Sequence, residues 1–215
     1  MLLIDLDGTL VDSAPDLAYC IDQTMLQLNI PVRGEQAVRC WVGNGLDRLL
    51  KRALVNALDG EPDPGLYQEA LPLFNSFYAS NVSVRSRLYD GVLPGLDYLQ
   101  RQGYRLACVT NKAREFTLPL MDDLGIAGYF ELIICGDDTA KKKPDPLPLL
   151  TAAEKMQVSP RRSLMLGDSV SDVQAARAAG LQIVCLSYGY NHGEDIRSYG
   201  PDAVIDSMVQ LEALI

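Results

Sequence analysis

Leu2-Leu3-Ile4-Asp5-Leu6-Asp7-Gly8-Thr9-Leu10 begins as an unbroken apolar run and ends on two acids, a glycine and a hydroxyl. A short apolar run without polar alternation is the mark of a strand buried on both faces. Residues two apart on a strand project to the same side, so Asp5 and Asp7 share a face while Leu6 turns inward. Gly8 lets the chain leave the sheet in a geometry that a side chain hinders. Two carboxylates about 4 Å apart repel by about 4 kcal/mol at an effective dielectric of about 20. A strand end carrying such a pair needs a cation or a shared proton beside it. The competing reading is an acidic turn that caps the next helix.

Outward from this segment, similar apolar runs recur at 105–110, 131–135, 163–167, Gln182–Leu186 and Ala203–Ile205. Helical patterns lie between them, at 93–102, 146–156 and Val170–Ala179. Strand alternating with helix predicts a doubly wound α/β fold with a parallel sheet. The rhythm breaks between residues 13 and 87, where only helix signals are found. Ser13-Ala14-Pro15-Asp16 has the form of a capping box with proline in the first turn. Ala14, Leu17, Ala18, Ile21, Met25 and Leu28 then follow helical spacing, as do Leu46, Leu49, Leu50, Ala53, Leu54 and Leu58. A third helix over 67–78 is expected to kink or restart at Pro72. The expected organisation is an α/β core of residues 1–12 and 88–215, with an all-α cap of residues 13–87 inserted after the first strand.

Composition narrows the function. The chain has 215 residues, 48% hydrophobic and 22% charged, ordinary values for a globular protein. No stretch approaches the roughly 20 apolar residues of a membrane span. Met1 to Ile4 reach Asp5 too soon for a signal peptide, so the expected location is the cytoplasm. A net charge of -9 argues against nucleic acid as a partner and requires a local cation if the substrate is an anion. Five scattered cysteines without a C-x-x-C pair suit a reducing compartment. A single histidine, His192, excludes an H-E-x-x-H zinc site and any chemistry that needs two histidines. It reads as an exposed loop residue, and Trp41 as a packing anchor between cap and core.

Three further segments carry candidate chemistry. Val109-Thr110-Asn111-Lys112 ends a strand, where a hydroxyl and an amide can meet phosphate oxygens; Thr110 equally fits a strand end or helix cap. In Lys141-Lys142-Lys143-Pro144-Asp145-Pro146, Lys141 and Lys142 read as solvated, whereas Pro144 fixes the backbone of Lys143 where a helix begins. A lysine there reaches phosphate as a point charge. Leu166-Gly167-Asp168-Ser169-Val170-Ser171-Asp172 is strand, glycine, then two acids on one helical face. Ser169-x-x-Asp172 fits a plain capping box as well as a metal site. Oxygen ligands without histidine or cysteine suit magnesium.

Taken in order, the segments of Asp5/Asp7, Thr110, Lys143 and Asp168/Asp172 resemble the four motifs of the haloacid dehalogenase-like phosphatase superfamily, along the whole chain. Within it, Trp41-Val42-Gly43-Asn44-Gly45, Gly136-Asp137-Asp138 and Tyr188-Gly189-Tyr190-Asn191 resemble the bacterial phosphoglycolate phosphatase group. The resemblance implies that Asp5 attacks phosphorus and that Asp7 protonates the leaving oxygen and later activates water, with neighbouring negative charge holding its proton. It implies a Mg2+ ion at Asp5, Asp7 (through its carbonyl), Asp168 and Asp172, and phosphate held by Thr110, Asn111 and Lys143. The substrate is then a small phosphorylated metabolite, 2-phosphoglycolate first; a sugar phosphatase or a phosphomutase carries the same motifs. In the cap, Gly43-Asn44-Gly45 precedes a helix start that would receive a substrate carboxylate, helped by Arg48 or Lys51; it also fits an ordinary loop.

A different chemistry is suggested by Cys108 to Arg114, which has the C-x5-R spacing of cysteine phosphatases. Cys108 lies inside the apolar strand and the loop lacks glycine, so the match reads as chance.

Overall fold

The computed structural model describes residues 1–215. In chain order it contains β1 (Leu2–Ile4), β2 (Val11–Asp12), α1 (Ala14–Gln27), α2 (Glu35–Trp41), α3 (Leu46–Val55), α4 (Pro64–Ala79) and β3 (Arg87–Leu88). It continues with α5 (Val92–Arg101), β4 (Leu106–Val109), α6 (Arg114–Asp123), β5 (Leu132–Ile134), α7 (Leu147–Lys155), β6 (Leu164–Gly167), α8 (Val170–Ala179), β7 (Gln182–Leu186) and β8 (Ala203–Ile205). Six strands form one parallel sheet in the order β5-β4-β1-β6-β7-β8. The expected doubly wound α/β sheet is therefore present.

Side-chain alternation explains why the strands read as continuous apolar runs. Leu2 and Ile4 enter one core, which continues under the helices before β3, while Leu3 enters a second core beneath α7 and α8. Leu106 and Cys108 of β4 face the first core, and Ala107 and Val109 the second. Both faces are covered, so apart from exposed Gln182 at the start of β7 no position in the six strands is polar. The chain runs from β1 outward to β4 and β5, then returns to β6 on the other side of β1. The carboxyl ends at that reversal form a crevice suited to ligands.

Helices α1–α4 stand between β2 and β3, which pair antiparallel as a two-residue ribbon, Val11 with Leu88 and Asp12 with Arg87. The sequence reading has no strand here. It also expects a capping box at Ser13, but Ser13 makes no side-chain cap and Asp16 serves another purpose. The buried Asp16 carboxylate accepts from Arg85 N (2.8 Å), Ser86 N (2.7 Å) and Ser86 Oγ (2.7 Å), tying α1 to the strap that returns to β3. The expected break at Pro72 is absent: α4 starts on Pro64, capped by Asp63, and runs through Pro72. Proline removes one backbone donor, but the carbonyl it frees belongs to exposed Gln68, while Ala70, Phe74 and Tyr78 bury the opposite side. No helix is long and apolar enough to cross a membrane.

Candidate active site

β1 delivers Asp5 to the crevice, and the turn that follows brings Asp7, Gly8 and Thr9 beside it. Gly8 adopts φ +90°, and a Cβ there would meet Asp168 Oδ2 at 2.3 Å. Gly189, at φ +105°, would place a Cβ 2.4 Å from the same oxygen. Both positions require glycine, because the backbone closes on Asp168 from two sides. The Asp168 carboxylate accepts from Thr9 Oγ1 and from Tyr190 N, each at 2.6 Å.

Asp172 meets the capping reading of its segment and adds an ion pair. Its Oδ2 accepts from Ser169 N (3.1 Å) and Ser169 Oγ (2.7 Å), completing a capping box on α8. Its Oδ1 accepts from Lys143 Nζ at 2.7 Å. One oxygen of each of Asp5, Asp168 and Asp172 lies within 4.8 Å of the others. Burial raises the Asp168 carboxyl well above the usual carboxylate range, and the charges of Asp172 and Asp5 add to the effect. Burial likewise raises Asp5, to about 7, against the opposing pull of Lys143. Buried carboxylates left so reluctant to ionise fit a divalent cation, and an all-oxygen donor set fits a hard one.

Lys143 is buried, unlike exposed Lys141 and Lys142. Its Nζ lies 2.8 Å from Asp5 Oδ1 and donates to Val109 O at 2.8 Å. Burial works against its charge, but Asp172 and Asp5 more than offset this and hold it protonated. Asn111 lines the pocket, and its side-chain amide is engaged on either side of it. Its Oδ1 accepts from Lys143 N (2.9 Å), and its Nδ2 donates to Lys143 O (2.9 Å) and Gly43 O (3.1 Å). The amide thus holds Lys143 in place and touches the loop before α3. Thr110 lines the crevice, with its Oγ1 accepting from Lys112 N at 3.2 Å.

Asp7 does not join the acidic cluster through its side chain. The sequence reading expects negative charge around it; the structure places Lys112 Nζ 3.2 Å from both of its oxygens. Lys112 is fully buried and also donates to Tyr78 OH on α4. Neither Lys112 nor Tyr78 is singled out by the sequence. The available signal was a lysine directly after a strand-end Thr-Asn pair, too buried to be a surface charge.

Asp5, Asp7, Thr110, Asn111 and Lys112 line the floor of the pocket, and Leu17, Val42, Gly43, Gly45, Leu46 and Leu49 its roof. Asn44 turns aside and donates to Ser171 Oγ at 3.2 Å. Arg48 does not face the pocket. Its guanidinium is held by Gly60 O (3.2 Å), Leu58 O (3.3 Å) and Glu61 (3.0 Å) in the loop after α3. Lys51 is held there too, by Glu61 at 3.1 Å. His192 is half-buried rather than exposed: its Nδ1 donates to Cys40 O at 2.8 Å, joining the loop after β7 to α2. Cys108 is buried, its thiol raised far above the ordinary value by burial, and Arg114 pairs with Asp138 instead. The C-x5-R spacing therefore builds no nucleophile.

Residues 2–186 match the model of the haloacid dehalogenase-like hydrolases. The chain belongs to that family. A phosphoglycolate phosphatase from Nitrosococcus oceani is 58% identical over 215 residues, covering 100% of this chain and 96% of that protein. One from Thiobacillus denitrificans is 44% identical, covering 100% and 94%. The crystal structure of a predicted phosphoglycolate phosphatase from Haemophilus somnus 129PT superposes with a TM-score of 0.94 at 35% identity, covering 100% and 96%. This family member is a phosphatase, and its Asp5, Asp168, Asp172, Lys143 and Thr110 converge where β1 ends.

Proposed function

We propose that the protein hydrolyses 2-phosphoglycolate to glycolate through a phosphoenzyme on Asp5, with Mg2+ as cofactor, in the cytoplasm. The observation that carries the chemistry is the buried Asp5 carboxylate beside Asp168, Asp172 and Lys143 at a strand end. Asp5, Asp168 and Asp172 would hold the cation, together with the Asp7 carbonyl. When bound, the ion supplies positive charge to a transferring phosphoryl group.

Asp5 is aimed from β1 into the pocket and attacks phosphorus in line, splitting one hard hydrolysis into two easier steps. Lys143 balances charge on the phosphoryl oxygens, and Thr110 offers a hydroxyl at the same height. Asn111 fixes the Lys143 backbone so that its ammonium stays on Asp5. Asp7 gives a proton to the leaving oxygen, then takes one from the water that cleaves the acyl phosphate. Residues 13–87 act as a lid that keeps bulk water from both steps.

Support for the substrate comes from two sides. Relatives at 58% and 44% identity over the whole chain are phosphoglycolate phosphatases. The pocket roof is apolar apart from the Gly43 to Gly45 loop, a compact space for a short acid. With Arg48 and Lys51 turned away, the backbone at the start of α3, with Lys142 Nζ beside Gly45, is available to meet the substrate carboxylate. A Mg2+-dependent screen of phosphorylated metabolites tests the assignment: the highest kcat/KM is expected on 2-phosphoglycolate. A preference for sugar phosphates, or conversion of one sugar phosphate isomer to another, would replace it. In the same assay Asn44→Ala is expected to lower kcat/KM for 2-phosphoglycolate, by loosening the loop that Asn44 ties to Ser171.

A further inference from the structure

Lys112 is the group that the four motifs leave unused. A lysine with no exposed side-chain surface is costly unless its charge is met. Here two elements meet it: Asp7, with both carboxylate oxygens at 3.2 Å, and the Tyr78 hydroxyl from α4. Tyr78 is itself immobilised, fully buried between Phe74 (centroids 5.7 Å apart) and Phe116 (4.8 Å), with Lys112 Nζ 4.9 Å from its ring. Asp7 makes no other side-chain hydrogen bond. Its orientation toward the pocket is therefore set by one ammonium, which is set in turn by one phenol from the helical insert.

We propose that Lys112, anchored by Tyr78, is a positioning residue that aims the Asp7 carboxyl at the leaving-group oxygen. This rests on Asp7 serving as proton donor, as in the function proposed above. The approach of Nζ to both oxygens, each at 3.2 Å, tethers the carboxyl group, and a displacement near 1 Å at such a group costs about a hundredfold in rate. A lysine that served folding alone would lower kcat/KM on every ester alike.

The test compares phenyl phosphate with 4-nitrophenyl phosphate, which share a shape but not a need for a proton on the departing oxygen. kcat/KM reports events up to phosphoryl transfer, so water activation does not enter. Lys112→Met is expected to lower kcat/KM on phenyl phosphate at least about tenfold more than on 4-nitrophenyl phosphate, within the range of general-acid effects. Tyr78→Phe is expected to show the same selectivity at smaller size, and it keeps the test alive if Lys112→Met folds poorly. Added to Asp7→Asn, Lys112→Met should cost nothing more on either ester. Equal losses on both esters, or full additivity with Asp7→Asn, would overturn the proposal. If Asp7→Asn alone shows no selectivity between the esters, the role of Asp7 fails first, and that outcome is distinct.

Discussion

Lys143 Nζ lies 2.8 Å from Asp5 Oδ1 and sets its charge against the buried carboxylate. The same ammonium donates to Asp172 Oδ1 and Val109 O, so one positive charge serves both acids. Lys143→Met should leave Asp5 and Asp172 Oδ1 without a cation, costing about 3–5 kcal/mol of stability. Turnover should fall by about 10²–10³. Lys141→Met, at an exposed pair, should stay within about 0.5 kcal/mol in the same denaturant titration.

Cation binding should be visible in thermal melts without any substrate. At a hundredfold excess over Kd, Mg2+ is expected to add about 2.7 kcal/mol, and Asp168→Asn should abolish the gain. Burial raises Asp5 to about 7 and raises Asp168 as well, so protons compete with the ion at these oxygens. The Mg2+-induced rise in Tm should therefore shrink as pH falls below about 7.

Gly189→Ala places a methyl group against the Asp168 carboxylate and asks alanine to hold a positive φ. The variant is expected to lose the Mg2+-dependent rise in Tm and to destabilise by about 1–3 kcal/mol. Calorimetry with and without the ion measures both.

His192 gives a pH signature away from the acids. Burial lowers its pKa below 6.5, partly offset by the Cys40 carbonyl. The unfolded chain then binds the proton more readily, so this contribution to stability is present above pH 6.5 and is lost as pH falls through that value toward the folded pKa. The difference in denaturation midpoint between wild type and His192→Asn should narrow or reverse between neutral and mildly acidic buffer.

Cys108→Ser should retain turnover, since the thiol is sealed in the first core. Its effect should be confined to stability, as for any hydroxyl placed among apolar neighbours. Loss of activity with folding intact would revive the cysteine-phosphatase chemistry.

Much of this arrangement can be read from the chain alone. The six sheet strands are visible because both faces are covered, which removes polar residues from each run. Asp5, Asp168 and Lys143 are visible because each follows a buried strand or precedes a proline-fixed helix. The β2–β3 ribbon is not, as two residues per strand show no period. α6 is masked by Pro119 within it. The partners of Lys112, Arg48 and Asn111 lie 10 to 105 positions away, a distance over which local pattern carries little signal. Capping signals mislead at Ser13, because Asp16 is recruited by the returning strap, and succeed at Ser169, where Asp172 both caps and pairs.

The central claim is that Asp5 carries the phosphoryl group. Enzyme turning over 2-phosphoglycolate in Mg2+ can be quenched in acid, reduced with borohydride and mapped by peptide mass spectrometry. Reduction of an acyl phosphate converts its aspartate to homoserine, and the account predicts homoserine at position 5 only in the sample that saw substrate. Homoserine at another aspartate, or an unmodified Asp5 during demonstrable turnover, would contradict it.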